Sequence, residues 1–519
     1  MGNYTLVIDI STAEARMHLL DSSLRVLCSN GEPLDFIRSN NPEVSEIDST
    51  TLELKLIRLM KKTLSQDGSM VSDVVVTSQR EGCVFLDDKD NIICVSPNID
   101  YRASEVSYLL PNDIKNTIYN VTGHWPDGLF PAMKLLWFRK YEPCVFRKIS
   151  RFMSINEWVV YKLLGWQQKR SKIDSTSAAE SLLFDVKNLK WSDEIIDILQ
   201  LKHLILPEIV SPGTVVGMIN PSLANHVGLS KHVRIRLAMA DTQSALLGCG
   251  VLDAGDVGIV NGSTTPVQLV VDKPIVDKMA RTWTCPYTPG LWVVESNCTK
   301  TGVIFKKLKE DLQCFLEELG REGAIGEKQL DKFILESWRE THEMITYFGP
   351  KIFDVSKGIQ DFPVVMMFHE ENTNIFKAVF GGYIENLAFA IRANIEQLQE
   401  ITDLSPKRII LTGRASKSEL LRKLLPIVLH DYECELYISQ ELNSTVIGAA
   451  MLAGNKIGES MVPVPLRSSS NKIKELCDYY SRKYLLWKKG HEGISSLSFL
   501  KDLEEMKRDA DNEKGACDC

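Results

Sequence analysis

The sequence predicts an α/β protein built as two copies of one layered unit around a central cleft, and three observations predict it. The chain has 519 residues, several times the size of a single-core domain, so two domains are expected. It opens on an apolar run that ends in an acid, Tyr4-Thr5-Leu6-Val7-Ile8-Asp9. A second run of the same kind, Arg236 to Asp241, stands at the start of the other half. Two copies of one α/β unit facing each other make a cleft, and such clefts hold ligands.

The elements follow in order. After Tyr4 to Asp9, the runs Ala15 to Leu20 and Leu24 to Cys28, separated by Asp21-Ser22-Ser23, complete a strand meander. Leu52, Leu56, Leu59, Met60 and Leu64 then fall at helical spacing, and Val74 to Ser78 reads as a buried strand. From Glu105 to Leu201 the pattern is mainly helical, an inserted region in which Asn156 to Leu164 stops at Gly165. Pro207, Pro212, Gly213, Gly217 and Pro221 punctuate the stretch before the run Ile235 to Ala240, where the domain changes. Gly255 to Thr265 gives a strand entering a Gly-Ser-Thr-Thr turn; Ala378 to Leu398 is a long helix, Arg408 to Thr412 a strand, and Thr445 to Ala453 a small-residue helix. The expected domains are 1–240, 241–465 and a C-terminal helical tail 466–519, with a hinge near 240–255. Tyr479, Tyr480, Tyr484, Leu485 and Trp487 form a stripe that docks a helix on the fold.

Composition excludes several classes. Apolar content of 44% and charged content of 25% are ordinary globular values. A net charge of −8 with no dense Lys/Arg track argues against nucleic acid; Lys306, Lys307, Lys309, Lys488 and Lys489 read as solvated faces. Twelve cysteines show no metal-ligand spacing and no secretory signal is present, so the thiols read as reduced and the location as cytoplasmic. Cys517-Asp518-Cys519 reads as a frayed end. Leu6 stands where a myristoylation signal at Gly2 needs Ser or Thr, and no run is long enough to span a bilayer, so no membrane partner is expected. Sequons at Asn3, Asn120, Asn261, Asn297 and Asn443 are chance matches in a protein that does not meet the modifying machinery.

A nucleoside triphosphate needs backbone N–H groups and hydroxyls in tight turns around its phosphates, and a carboxylate for hydrated magnesium. Asp9-Ile10-Ser11-Thr12 and Asn261-Gly262-Ser263-Thr264-Thr265 each offer that after a strand. Singly, each is ordinary turn chemistry. As a pair they resemble the two phosphate loops of the actin, hexokinase and sugar kinase superfamily, and within it the chain resembles the FGGY carbohydrate kinases. The resemblance runs nearly end to end. It rests on Ser78-Gln79-Arg80-Glu81-Gly82, Pro97-Asn98-Ile99-Asp100-Tyr101-Arg102-Ala103, Thr122-Gly123, Lys134-Leu135-Leu136-Trp137, Ala240-Asp241-Thr242-Gln243, Gly262-Ser263-Thr264, Leu411-Thr412-Gly413 and Gly448-Ala449-Ala450. The Arg80-Glu81-Gly82 and Asn98-x-Asp100-x-Arg102 segments look most like the autoinducer kinases and related sugar kinases.

The resemblance implies two ribonuclease H-like domains and transfer of the ATP γ-phosphate to a hydroxyl of a small sugar, ketose, polyol or related diol. Asp241 matches the general base, and Asp9 the residue that holds Mg2+ through water. Thr12, Gly262, Ser263 and Thr264 match nucleotide phosphate positions and Gly413 the adenosine site, while Arg80, Glu81, Asp100 and Gln243 match substrate positions. Family members are commonly dimers, which carries over as an expected homodimer.

The departures gather on the nucleotide side. Ser11 replaces a glycine, Ala13-Glu14 replace Gly, Ser or Thr, Arg414-Ala415 follow a single glycine, and Asn443 stands where Glu is frequent. Two readings follow: an active kinase with a rearranged loop, or a sugar-binding pseudokinase. Joint retention of Asp241, Asp9 and Thr12 favours the first. An actin-like ATPase, the third reading, has no use for Arg80, Glu81 and Asp100.

Overall fold

The computed structural model describes residues 4–64, 68–166, 171–320, 323, 326–341, 344–357, 364–367, 375–439, 443–454, 461–464 and 471–495. The readings at Gly2, Asn3 and Cys517–Cys519, and most of the expected tail, lie outside them. The chain divides into two compact units: residues 1–254, 270–294 and 443–461 form the first, and 255–269, 295–442 and 462–519 the second.

The first unit is organised by a six-stranded sheet in the order Val215–Met218, Arg234–Leu237, Val71–Ser78, Tyr4–Ile10, Glu14–Leu20, Val26–Pro33. Tyr4–Ile10 is antiparallel to Glu14–Leu20 and parallel to Val71–Ser78, which is in turn parallel to Arg234–Leu237. The two-residue period of a strand sorts its side chains. Leu6, Ile8 and Ile10 enter a core with Trp158, Val159 and the helix Ser49–Thr63. Val7 points the other way and packs with Val75, Leu20 and Ala238 against Val446, Ile447, Ala449 and Ala450 of the helix Ser444–Met451. Asp9 shares the face of Val7, which sets its surroundings before any chemistry is considered.

The region from Glu105 to Leu201, expected to be mainly helical, also contains sheet. Arg151–Ser154 pairs antiparallel with Cys83–Leu86, which also pairs with Ile92–Ser96. A four-residue strand flanked by helices leaves too short a period-two signal to stand out. The helix expected to end at Gly165 does so: it spans Ile155–Leu164, and Gly165 caps it at φ 72°.

The second unit repeats the local pattern. Asp256–Asn261 is antiparallel to Thr264–Val271 and parallel to Arg408–Gly413, and Arg408–Gly413 is parallel to Glu435–Ser439. The repeat therefore extends over four strands of each unit. The aromatic stripe sits on the helix Asn471–Ser495 and docks on the helix Ile375–Thr402. Trp487 Nε1 donates to Asn386 Oδ1 at 2.8 Å, Tyr480 OH to Glu385 at 2.9 Å and Tyr484 OH to Glu396 at 2.6 Å. Leu485, included in the stripe from the sequence, is 62% exposed and faces away from that contact. Lys306 and Lys307 pair with Glu310 and Asp311 one helical turn on, as a solvated face would.

Candidate active site

In the first unit the helix Asp241–Gly248 begins at Asp241, directly after the loop that follows Arg234–Leu237. That loop is pinned from three sides. Thr77 Oγ1 donates to the Met239 carbonyl at 2.7 Å, Ser244 Oγ to the same carbonyl at 3.1 Å, and the Ala240 N–H donates to Thr176 Oγ1 at 2.9 Å. Thr176 Oγ1 in turn donates to the fully buried Asp174. The helix lies against Ser444–Met451 at backbone contact. A Cβ on Gly248 would stand 1.9 Å from the Ser444 carbonyl oxygen, and one on Gly448 1.8 Å from that of Ser244. The Gly448-Ala449-Ala450 motif is thus a requirement of close helix packing, and it fixes where Asp241 stands.

Asp241 is partly accessible, with Oδ1 accepting from the Thr242 N–H at 2.7 Å and the Thr242 hydroxyl at 3.2 Å. Burial pushes its carboxyl up to about 6, the Asp9 charge adds to the shift, and Arg80 opposes it. Asp9 is fully buried at the end of Tyr4–Ile10. Burial raises its pKa too, while Arg16 pulls the other way. Arg16 Nη2 donates to Asp9 Oδ2 at 2.6 Å. Asp9 Oδ1 is buried with no hydrogen-bond partner among the described residues. A carboxylate oxygen left bare in this way fits a hydrated divalent cation.

The buried Asp9 and the partly accessible Asp241 interact electrostatically, with Arg16 acting on the first and Arg80 on the second, at the centre of the candidate site. Arg80 and Glu81 follow the strand Val71–Ser78 and are buried, with Arg80 Nε 3.8 Å from Glu81 Oε1 and the Arg80 guanidinium over the Trp283 ring at 5.5 Å. The Gly82 N–H donates to the Arg80 carbonyl at 2.6 Å, and Glu81 between them is held at φ 56°. A non-glycine residue in that conformation costs about 1–3 kcal/mol and persists where the surroundings impose it. Gln243 is fully buried, and among the described residues neither its amide nitrogen nor its amide oxygen has a hydrogen-bond partner.

Asp100 lies elsewhere in this network. Both its oxygens are occupied: Arg102 Nε donates at 2.8 and 3.0 Å, Ser96 Oγ at 2.5 Å, and the Ser45 N–H at 3.3 Å. Together with Lys134, whose Nζ donates to the Pro97 carbonyl at 2.9 Å, it holds the Pro97–Arg102 turn. That turn touches the first loop, where Thr12 Oγ1 donates to Asn98 Oδ1 at 3.1 Å. Ser11 is not in the left-handed region, so the loop does not require glycine there, and its hydroxyl accepts from the Glu14 N–H at 3.2 Å. Glu14 itself is exposed.

Sequence reasoning missed two residues here. In an antiparallel hairpin that pairs residue 10 with 15, residue 9 faces 16, so Arg16 was within reach of the sequence pattern. Gln79 joins the loop to the turn, its amide nitrogen donating to the Ser11 carbonyl at 3.3 Å and its amide oxygen accepting from the Asn98 N–H at 2.9 Å. No local pattern announces such a bridge.

In the second unit, Gly262 and Ser263 form an exposed turn between the strands Asp256–Asn261 and Thr264–Val271, with Thr264, also exposed, opening the second strand. Below it Asn261 Nδ2 donates to Thr265 Oγ1 at 2.6 Å, and Thr265 and Thr301 share a hydroxyl hydrogen bond of 2.7 Å. Asn261 Oδ1 also accepts from the Ala415 N–H at 3.0 Å. Gly413 sits at φ 92°, and a Cβ there would stand 2.0 Å from the Asn261 carbonyl oxygen. A side chain is excluded at 413 on both counts, whereas Arg414 beyond it is exposed.

The family model for the N-terminal domain of the FGGY family of carbohydrate kinases matches residues 4–248, and that for the C-terminal domain matches 258–456. The chain belongs to the FGGY family of carbohydrate kinases. It is 28% identical over 450 residues to a protein named as a sugar kinase, YoaC of Bacillus subtilis (strain 168), covering 86% of this chain and 88% of that one. Against the autoinducer-2 kinase of Yersinia pestis bv. Antiqua (strain Angola) the identity is 23% over 486 residues, covering 88% and 87%. Among solved structures, a xylulose kinase from Lactobacillus acidophilus superposes with a TM-score of 0.80 at 19% identity over 96% of this chain and 99% of that one. A Plasmodium falciparum glycerol kinase with ADP gives 0.76 at 19% identity over 95% and 98%. These likenesses show the two-domain FGGY fold with ribonuclease H-like domains. Membership makes the protein an ATP-dependent phosphotransferase acting on a carbohydrate, and it sets aside the actin-like ATPase. Among the described residues no helix is long and apolar enough to cross a membrane.

Proposed function

We propose that this FGGY kinase phosphorylates a hydroxyl of a small sugar, ketose, polyol or related diol, with Asp241 as general base. One observation carries the reading. The carboxyl of Asp241, raised to about 6, shares an electrostatic environment with Asp9 and Arg80 on the helix that also carries the unpartnered Gln243. A carboxylate with a pKa just below neutrality is ionised at working pH yet basic enough to accept the acceptor hydroxyl's proton. Arg80, Glu81 and Gln243 are the polar groups that grip neighbouring hydroxyls and hold one in line, with Asp100 holding the adjoining turn. Thr12 in the first unit, and Gly262, Ser263 and Thr264 in the second, meet the ATP phosphates, and Gly413 the adenosine. Asp9 holds the Mg2+ ion through water. The ion, when bound, neutralises charge on the phosphates during transfer. Arg16 favours the ionised form of Asp9 and partly offsets the burial that raises its pKa.

In this reading residues 1–240 serve the sugar and the first phosphate loop, residues 241–465 the second loop and the adenosine, and the enzyme is a cytoplasmic homodimer. The test is ADP release by purified protein with MgATP over pentuloses, hexuloses, polyols and autoinducer-like diols, beside Asp241→Ala. Sugar-dependent release abolished by that substitution is expected. Sugar binding without release in the unaltered protein would favour the pseudokinase instead.

A further inference from the structure

Three residues of the first unit, far apart in sequence, converge beside the sugar-site residues. His124, Glu180 and Cys285 are all buried, and one donor atom from each lies within 4.8 Å of the others. His124 Nε2 stands 3.3 Å from Cys285 Sγ and 3.6 Å from Glu180 Oε2, and Cys285 Sγ is 3.6 Å from Glu180 Oε1. The other ring nitrogen, Nδ1, is 3.1 Å from the Thr122 carbonyl oxygen. A carbonyl oxygen only accepts, so in the neutral ring the proton belongs on Nδ1 and the Nε2 lone pair faces the thiol and the carboxylate. Three electron-pair donors, an imidazole nitrogen, a thiol sulfur and a carboxylate, then converge on one point.

We propose that His124, Glu180 and Cys285 form a binding site for a zinc-type divalent cation. The separations are close to those a bound ion needs: 3.3 Å between His124 Nε2 and Cys285 Sγ, and 3.6 Å from each of them to a different Glu180 oxygen, so that a small turn of the carboxylate brings one oxygen into place. With Zn–N and Zn–O bonds of about 2.0–2.1 Å and Zn–S of about 2.3 Å, a tetrahedron has edges of about 3.4–3.6 Å between these donors. The imidazole carries the outer hydrogen bond to a backbone carbonyl that fixes the tautomer of metal-bound histidines. Phe130 and Trp283 flank the ring at centroid distances of 5.5 and 5.7 Å, an apolar wall that strengthens ligation. Glu180 also lines a small cavity with Arg80, Glu81 and Ser177, and a water molecule would complete a tetrahedral set as the fourth ligand. Binding releases the Cys285 thiol proton to solvent, so the carboxylate and thiolate together balance the two charges of the cation. Separations of 56 and 105 residues between the ligands explain why cysteine spacing predicted nothing here.

The test uses the full chain, stripped with a chelator and titrated with cobalt(II) chloride. Expected are one cobalt per chain, a thiolate-to-cobalt charge-transfer band in the near ultraviolet with visible bands of tetrahedral cobalt, and loss of both on adding zinc. Cys285→Ser should abolish the charge-transfer band and Glu180→Gln should weaken zinc binding at least about ten-fold. Asp9→Ala and the double variant Cys517→Ser/Cys519→Ser should keep the band, which separates this site from the magnesium carboxylate and from the terminal thiols. Absence of the band in the unaltered protein, its survival in Cys285→Ser, or its loss in Cys517→Ser/Cys519→Ser would overturn the proposal and leave the three residues as a proton-sharing cluster. Should Cys285→Ser fail to fold, titration of the unaltered protein and of the terminal double variant still decides.

Discussion

Replacing Asp241 with asparagine should make the protein more stable while removing its activity. The carboxyl titrates near 6 in the fold against an ordinary value of 3.8, chiefly because burial disfavours its charged form. The folded state therefore holds this proton more tightly than the unfolded chain does. The stabilisation from the protonated group is fully present below about pH 3.8 and is lost as pH rises through about 6. A shift of about two units, at about 1.36 kcal/mol each, sets an upper figure of about 3 kcal/mol. Partial accessibility and the shared charge of Asp9 reduce the net cost of the ionised group to about 1–3 kcal/mol. Asparagine keeps the shape and cannot ionise. Urea unfolding of both proteins, in chelator and without nucleotide, should show Asp241→Asn more stable by about 1–3 kcal/mol near pH 8, with the advantage shrinking towards pH 4. Sugar-dependent ADP release should fall by about 10²- to 10⁴-fold in the same variant. A stability difference that does not change with pH, or a less stable variant at pH 8, would refute the argument that the site holds this carboxylate against its solvation preference.

For the unaltered enzyme, kcat/KM at saturating MgATP should rise about ten-fold per pH unit below about 6 and level off above it, read from initial rates. Gln243→Leu removes a buried amide with no partner, so calorimetry should find its thermal midpoint unchanged or raised, by up to about 1–3 kcal/mol in stability; the KM for sugar should rise if the amide serves the substrate. Gly448→Ala places a methyl against the Ser244 carbonyl, so unfolding should show a loss of about 1–3 kcal/mol or more, with kcat reduced because the helix bearing Asp241 is displaced.

Strand-length apolar runs and a repeated acid-ended run were legible because such runs are local features of the chain, and the structure returns those strands within a few residues of where the runs put them. Asp9 and Asp241 were legible for a related reason, since each stands at the end of such a run. What the pattern could not carry was partnership across distance. Asp100 has a conspicuous place in a charged segment, yet only the structure reveals that Arg102, Ser96 and Ser45 occupy its oxygens. Arg414 looks disruptive after a lone glycine, but the glycine answers to the Asn261 backbone and the arginine side chain is exposed. The same holds for Ser11, whose backbone makes no demand that only glycine can meet.

The contact between the helices Asp241–Gly248 and Ser444–Met451 joins segments about two hundred residues apart within one unit. A ribosome making this chain completes the strands that bear Asp9 and Arg80 long before it supplies the apolar cover of Val446, Ile447, Ala449 and Ala450. Until then Val7, Leu20, Val75 and Ala238 lack that cover, and a nascent chain with an open apolar face is what chaperones engage. Asp241 is thus seated by a helix made about two hundred residues after it, so its final position waits on a segment that follows far behind in synthesis.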